Sequence, residues 1–176
     1  MLANLGSIAQ ADALSLTPDL LEKEITLMAE HRATIDWQRG DTAFTYETYP
    51  RNHTVTFDNG AVVEASAAPD YLGDATRVDP EEMLVASLSN CHMLTFLAIA
   101  AKKRLVVDTY TDEASGALGK IDGGKTALTK VTLRPQVVFS GDHTPDADTI
   151  ADMHHKAHEY CFIANSVTTQ IAVEPA

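Results

Sequence analysis

The chain predicts an α+β fold: a mainly antiparallel sheet built around one long central apolar helix. Three observations carry this expectation. Apolar residues recur with period two between Thr34 and Ser66. Nineteen residues, Met83 to Ala101, then pass without an Asp, Glu, Lys or Arg. Two strand-like stretches, a helix and a last strand follow. With 176 residues, the chain is long enough for one domain with a real core.

The elements can be justified in order. Thr17 and Pro18 make a helix start, with Thr as N-cap and Pro at the first helical position. Leu21, Ile25 and Met28 continue at helical spacing, so the pattern predicts an amphipathic helix over 18–31. Three or four antiparallel strands are expected between Thr34 and Ser66. Ala43–Tyr49 alternates after a turn at Arg39-Gly40-Asp41. His53–Phe57 and Ala61–Ala65 flank Asn59-Gly60, a strong hairpin signal. Ala67–Val78, with Pro69 and Gly73, reads as a loop.

Asp79-Pro80-Glu81-Glu82 opens the long helix. Asp79 caps it, Pro80 takes the first position, and the glutamates suit the positive end of the dipole. Lys102, Lys103 and Arg104 complement its other end. Leu105–Leu118 and Ala127–Ser140 read as two strands joined around Asp122-Gly123-Gly124. Pro135 predicts an edge or a bulge in the second. Pro145–Tyr160 reads as a second amphipathic helix and Val167–Val173 as a last strand. Residues 1–33 are thus expected to form an extension with a helix, and 34–176 the domain.

The uncharged stretch is long enough to span a bilayer. Ser87, Ser89, Asn90, Cys91, His92 and Thr95 lie in its middle, which is too much polarity for a lone lipid-facing helix. A helix buried in a globular fold is the better reading. Being apolar nearly all round, it needs cover on all sides, and a homodimer that buries it between subunits is a natural solution. The net charge of −12 disfavours nucleic acid or an anionic membrane as partners. Met1–Ser15 lacks a positive n-region, so a cytoplasmic location is expected. A permanent disulfide would be unusual there, whereas one that forms and breaks would not.

Cys91 and Cys161 are the only two cysteines. Their spacing suits neither a zinc knuckle nor a C-x-x-C loop. Ile150, Met153, Ala157 and Cys161 form one stripe, so Cys161 is expected to point inward at or just past the second helix. Cys91 is also inward for most orientations of its helix. Two readings stay open: small core residues, or a working dithiol whose Cα atoms must come within about 7 Å. Ser89, Asn90 and His92 around Cys91, and Asn165 and Ser166 after Cys161, favour a site, because buried polar groups require partners.

Val78-Asp-Pro-Glu-Glu-Met-Leu-Val-Ala-Ser-Leu-Ser-Asn-Cys-His-Met93 and Ala157-His-Glu-Tyr-Cys-Phe-Ile-Ala-Asn-Ser166 resemble the two cysteine segments of the OsmC/Ohr family of thiol-dependent hydroperoxide reductases. Tyr49-Pro-Arg-Asn-His-Thr-Val-Thr-Phe57 looks like its OsmC-like branch. The resemblance spans roughly residues 34–173. It implies the OsmC-like fold as an intertwined homodimer, with the apolar helices at its centre and sites at the interface. It implies a peroxidatic Cys91, a resolving Cys161, a carboxylate at Glu81, and an arginine that holds the thiolate, assigned to Arg51 with Arg77 as rival. The chain departs from the family pattern at Asp79, His92 and Phe162.

The implied activity is reduction of organic hydroperoxides or hydrogen peroxide. It proceeds through a Cys91 sulfenic acid and a Cys91–Cys161 disulfide, which an external dithiol then reduces. No metal, haem or flavin is required. A free thiol is only a few per cent thiolate at neutral pH, so a nearby permanent cation is chemically useful. Ten residues of helix separate Glu81 from Cys91 by roughly 15 Å, which points to a site assembled from two subunits. The alternative is a non-catalytic, stress-associated binding dimer of the same fold whose thiols are core.

Other residues carry weaker signals. His154 and His158 have the i, i+4 spacing of helical metal ligands, but no H-E-x-x-H pattern follows, and a polar helix flank is the simpler reading. His92 with Cys91, joined by His53, forms no complete ligand set. Trp37 and the tyrosines read as packing.

Overall fold

The computed structural model describes residues 30–175. The helix expected over 18–31 falls, but for its last two residues, outside them. Three antiparallel strands come first: β1 (Ala33–Asp36), β2 (His53–Phe57) and β3 (Val62–Ala65). They pair in the order β1-β2-β3, with Ala33 opposite Phe57 and His53 opposite Ala65. The Asn59-Gly60 turn closes the β2–β3 hairpin as expected. Gly60 takes φ +81°, and Asn59 Oδ1 accepts from Ala61 N at 3.0 Å.

Ala43–Tyr49 forms turns rather than the expected strand. Thr45 holds the segment in that shape, its carbonyl accepting from both Thr48 N and Tyr49 N. Alternation alone does not make a strand where such local bonds capture the backbone.

Helix α1 runs from Pro80 to Lys102, capped by Asp79. Asp79 Oδ1 accepts from Glu82 N at 2.8 Å, and Glu82 Oε2 accepts from Asp79 N at 3.1 Å, a reciprocal capping box. Its buried residues, Leu88, His92, Phe96 and Ala100, recur every fourth position and form one stripe. The sequence led to an expectation of cover on all sides. Among the described residues only this stripe of the helix is fully buried; its flanks are half-buried, and Leu94 on the other side is 56% exposed.

Each of the two strands expected after α1 is two strands. Leu105–Leu118 splits into β4 (Val106–Asp112) and β5 (beginning at Ser115 and ending at Lys120). Ala127–Ser140 splits at Arg134 into β6 (Thr126–Leu133) and β7 (Pro135–Ser140). Pro135 opens β7, a place where its missing N–H costs the ladder least. The halves diverge: β4 pairs with β7, while β5 pairs with β6. Helix α2 (Ala147–Glu159) follows, capped by Asp146, whose Oδ1 accepts from Thr149 N at 2.8 Å. The last strand, β8 (Gln170–Val173), pairs with β6 in parallel, Val131 opposite Ile171.

The core has two parts, and α1 serves both. Leu88 packs with Val131 and Leu133 of β6. Phe96 and Ala100 pack with Met153 and Ala157 of α2, backed by Tyr110 of β4 and Phe139 of β7.

Candidate functional site

The two cysteines, 70 positions apart in sequence, become neighbours because α2 lies along α1. Both are free thiols. Cys91 is half-buried on the flank of α1, turned towards a cleft and not into the core as expected. Cys161 lies two residues past α2, 1% exposed. Burial first, and then the hydrogen-bonded thiol of Cys91, push the Cys161 thiol up to about 11, so at neutral pH it keeps its proton.

A tight turn fixes Cys161. Its N–H donates to His158 O at 3.3 Å, its carbonyl accepts from Asn165 N at 3.1 Å, and its Sγ accepts from Ala164 N at 3.4 Å. Asn165 Nδ2 donates to Glu159 O and Ser166 Oγ to Phe162 O. These two polar residues therefore staple the turn. Ser89 likewise donates to Asp112 Oδ2 at 2.5 Å, and Thr95 to the Cys91 carbonyl at 2.8 Å.

Cys91 opens onto a cleft of about 700 Å³ whose walls include Leu94, Thr95, Tyr160, Phe162 and Ile163. The walls are chiefly apolar. Tyr160 is 59% and Phe162 82% exposed. Among the described residues no charged side chain lines this cleft.

The other expected site residues lie elsewhere. Arg51 borders a pocket of about 430 Å³ with Trp37, Phe44, Tyr49, His53 and Pro80. Its guanidinium lies 3.7 Å from the Tyr49 ring centre and donates to the backbone carbonyls of Tyr49 and Tyr46. Its Nε is buried without a partner among the described residues. Among the described residues no carboxylate pairs with it, whereas Arg77 is bound to Glu64 and Asp74. Glu81, in the first turn of α1, faces two further hollows, beside Glu82 and Asp112 in one and beside Tyr71 and Leu118 in the other. The single chain thus unites Cys91 with Cys161 and leaves Arg51 and Glu81 apart from them.

His154 is not on a polar flank. It is 3% exposed, and His92 is 1% exposed. His92 Nε2 and His154 Nδ1 are 3.1 Å apart, with the rings within 4° of parallel. Burial pushes both imidazoles down to about 4. Among the described residues no three His, Cys, Asp or Glu side chains converge as metal ligands. The three neighbouring histidines of α2 look like a polar face in sequence. Only the position of Met153 and Ala157 on the buried stripe hinted that His154 lay beside it.

The chain is similar to proteins of known structure and sequence. An OsmC-like protein of unknown function from Vibrio cholerae is 53% identical, with 85% of this chain and all of that chain covered, at a TM-score of 0.82. An organic hydroperoxide resistance protein from Elizabethkingia anophelis is 21% identical, with 84% and 94% covered, at a TM-score of 0.63, which is a likeness of fold. The uncharacterised protein YmaD of Bacillus subtilis is 23% identical over 126 residues, or 70% of this chain and 83% of that protein. The family model described as OsmC-like protein matches residues 73–176, which hold both cysteines, α1, α2 and the strands β4 to β8. The chain belongs to the OsmC-like family.

Proposed function

We propose that this protein is a thiol-dependent peroxidase acting on organic hydroperoxides or hydrogen peroxide. One observation carries the reading: two free cysteines meet at an apolar cleft, one open to it and one buried, protonated and beside the first. Cys91 is placed to meet a substrate. Cys161 is shielded from solvent yet adjacent to whatever forms on Cys91. The fold shared with the organic hydroperoxide resistance protein of Elizabethkingia anophelis supports the same reading.

The steps balance. Cys91 Sγ attacks one peroxide oxygen, the O–O bond breaks, and the alcohol leaves after taking a proton. Cys91 is now a sulfenic acid. Cys161 Sγ bonds to Cys91 Sγ, and the sulfenic oxygen departs with the Cys161 proton as water. An external dithiol reduces the disulfide by exchange.

Arg51 and Glu81 complete the site from a second subunit. The support is threefold. Among the described residues Arg51 has no carboxylate partner and one orphaned donor, so it can receive an anion. The uncovered side of α1 needs a partner. The exposed aromatic cluster of Trp37, Phe44 and Tyr46 beside Arg51 offers an apolar surface to meet it.

The almost complete burial of Cys161 also suits the second reading, a non-catalytic binding dimer with core thiols. Thiol counting separates the two. One equivalent of cumene hydroperoxide is expected to remove both free thiols per chain, and Cys91→Ser to abolish the loss. Unchanged thiols in the wild-type protein would reject the peroxidase.

A further inference from the structure

The apolar contacts between α1 and α2 hold the helices together by packing, with no directional bond among them. Phe96, Ala100, Met153 and Ala157 are hydrocarbon surfaces apart from one thioether, and such packing is non-directional. Among the described residues, a single side-chain hydrogen bond joins the two helices, between His92 and His154. Lys103 and Asp152 add a 4.0 Å ion pair at an exposed helix end, worth little. His92 follows Cys91 directly. His154 lies two turns before Cys161 on the helix that leads to it.

We infer that the His92–His154 hydrogen bond is a clasp that sets the register of α1 against α2, and so positions Cys161 Sγ to attack the Cys91 sulfenic acid. The inference rests on the peroxidase reading. Three observations support it. The bond is short and directional at 3.1 Å, and both rings are buried. Phe96 stacks on His154 with centres 4.3 Å apart, which fixes the plane of that ring. The pair also carries a cost that an apolar pair would avoid. His92 Nδ1 and His154 Nε2 are both buried without partners among the described residues, and each such atom costs stability. An arrangement that sacrifices stability for one directional contact fits a role in alignment.

The proton count agrees. Both imidazoles are pushed down to about 4, so at neutral pH one ring donates and the other accepts. The groups that bear on His92 are His154 and His158 of α2, which oppose its charge, and Asp112 of β4, which favours it. Asp112 is already bound to Ser89 Oγ and Arg134 N and does not take a ring proton.

The test separates the two chemical steps in single turnover. His92→Leu/His154→Leu removes the clasp and keeps the site apolar. It is expected to form the sulfenic acid at the wild-type rate, followed with a dimedone probe, and to close the disulfide at least about tenfold more slowly. The equilibrium between its disulfide and a dithiol should shift towards the reduced form. His92→Gln puts an amide where Nε2 stood, and it should recover most of the closure rate. Closure by the double variant at the wild-type rate overturns the clasp, as does slow closure that His92→Gln shares in full. Should the double variant not fold, His92→Leu against His92→Gln makes the same comparison. Diamide, a thiol oxidant, reads the same closure without peroxide. Wild-type protein that closes with diamide but is inert to peroxide would sink the peroxidase and leave the clasp to be judged by its own variants.

Discussion

At the scale of residues, the two arginines differ most in what holds them. Arg77 spends its charge on Glu64 and Asp74, whereas Arg51 rests on a tyrosine face and two carbonyls. An ion pair already made offers little to a thiolate, while a cation bound only by dipoles still attracts an anion. Arg51→Ala is therefore expected to slow the reaction of Cys91 with cumene hydroperoxide by about 100-fold, the usual scale for loss of a charge-stabilising donor. Arg77→Ala should change it by less than about threefold, as befits a partly exposed surface pair. Stopped-flow traces of both variants check this, and equal effects would reverse the assignment. Cys161→Ser supplies a companion expectation: it consumes one equivalent of peroxide and does not turn over with a dithiol. The cysteine contexts were legible in the sequence, because both lie in continuous segments with distinctive neighbours. The His92–His154 contact was not, since it joins positions 62 apart that no local pattern relates.

At the scale of elements, local chemistry was readable and partner choice was not. The Asn59-Gly60 hairpin and the Asp79–Glu82 capping box follow from residues within four positions of each other. The divisions on either side of β5 and β6 follow from which sheet each half joins. Leu133 and Pro135 look continuous in sequence, yet β6 and β7 belong to different sheets. The parallel return of β8 beside β6 has no local signal either. Two predictions belong here. Asp79→Ala removes the acceptor for Glu82 N and should cost about 1 kcal/mol in urea unfolding. Gly73→Ala should cost about 3 kcal/mol or more. A Cβ at Gly73 would lie 1.6 Å from the Ala67 carbonyl oxygen, so backbone must shift. Ala67 and Pro80 border the Arg51 pocket, and that loop connects them. An unchanged midpoint for Gly73→Ala would show that the turn yields without penalty.

At the scale of the molecule, stability depends on pH through the buried imidazoles. Both have pKa values lowered from 6.5 to about 4 in the folded chain. The unfolded chain binds protons between those values and the folded chain refuses them. Stability is therefore complete above pH 6.5, falls as pH drops towards 4, and levels below it, a loss on the order of 3 kcal/mol for each imidazole at about 1.4 kcal/mol per pH unit. Denaturant midpoints across that range check the expectation, and replacing both histidines by leucine should flatten this part of the curve. The uncovered side of α1 makes a second prediction, in sedimentation. Leu94→Asp should convert a dimer to monomers by placing a carboxylate in an apolar interface, and a protein that is monomeric before the change would refute the shared site. The long separation between α1 and its cover also bears on how the protein is made. Phe96 and Ala100 meet Met153 and Ala157 only after more than fifty further residues have been added. At ribosomal rates of about 5–20 residues per second, the uncharged segment waits roughly 3–10 seconds without its helical partner. During that interval Cys91 has no Cys161 beside it, and the nascent chain presents a bare apolar stripe of the kind that chaperones bind.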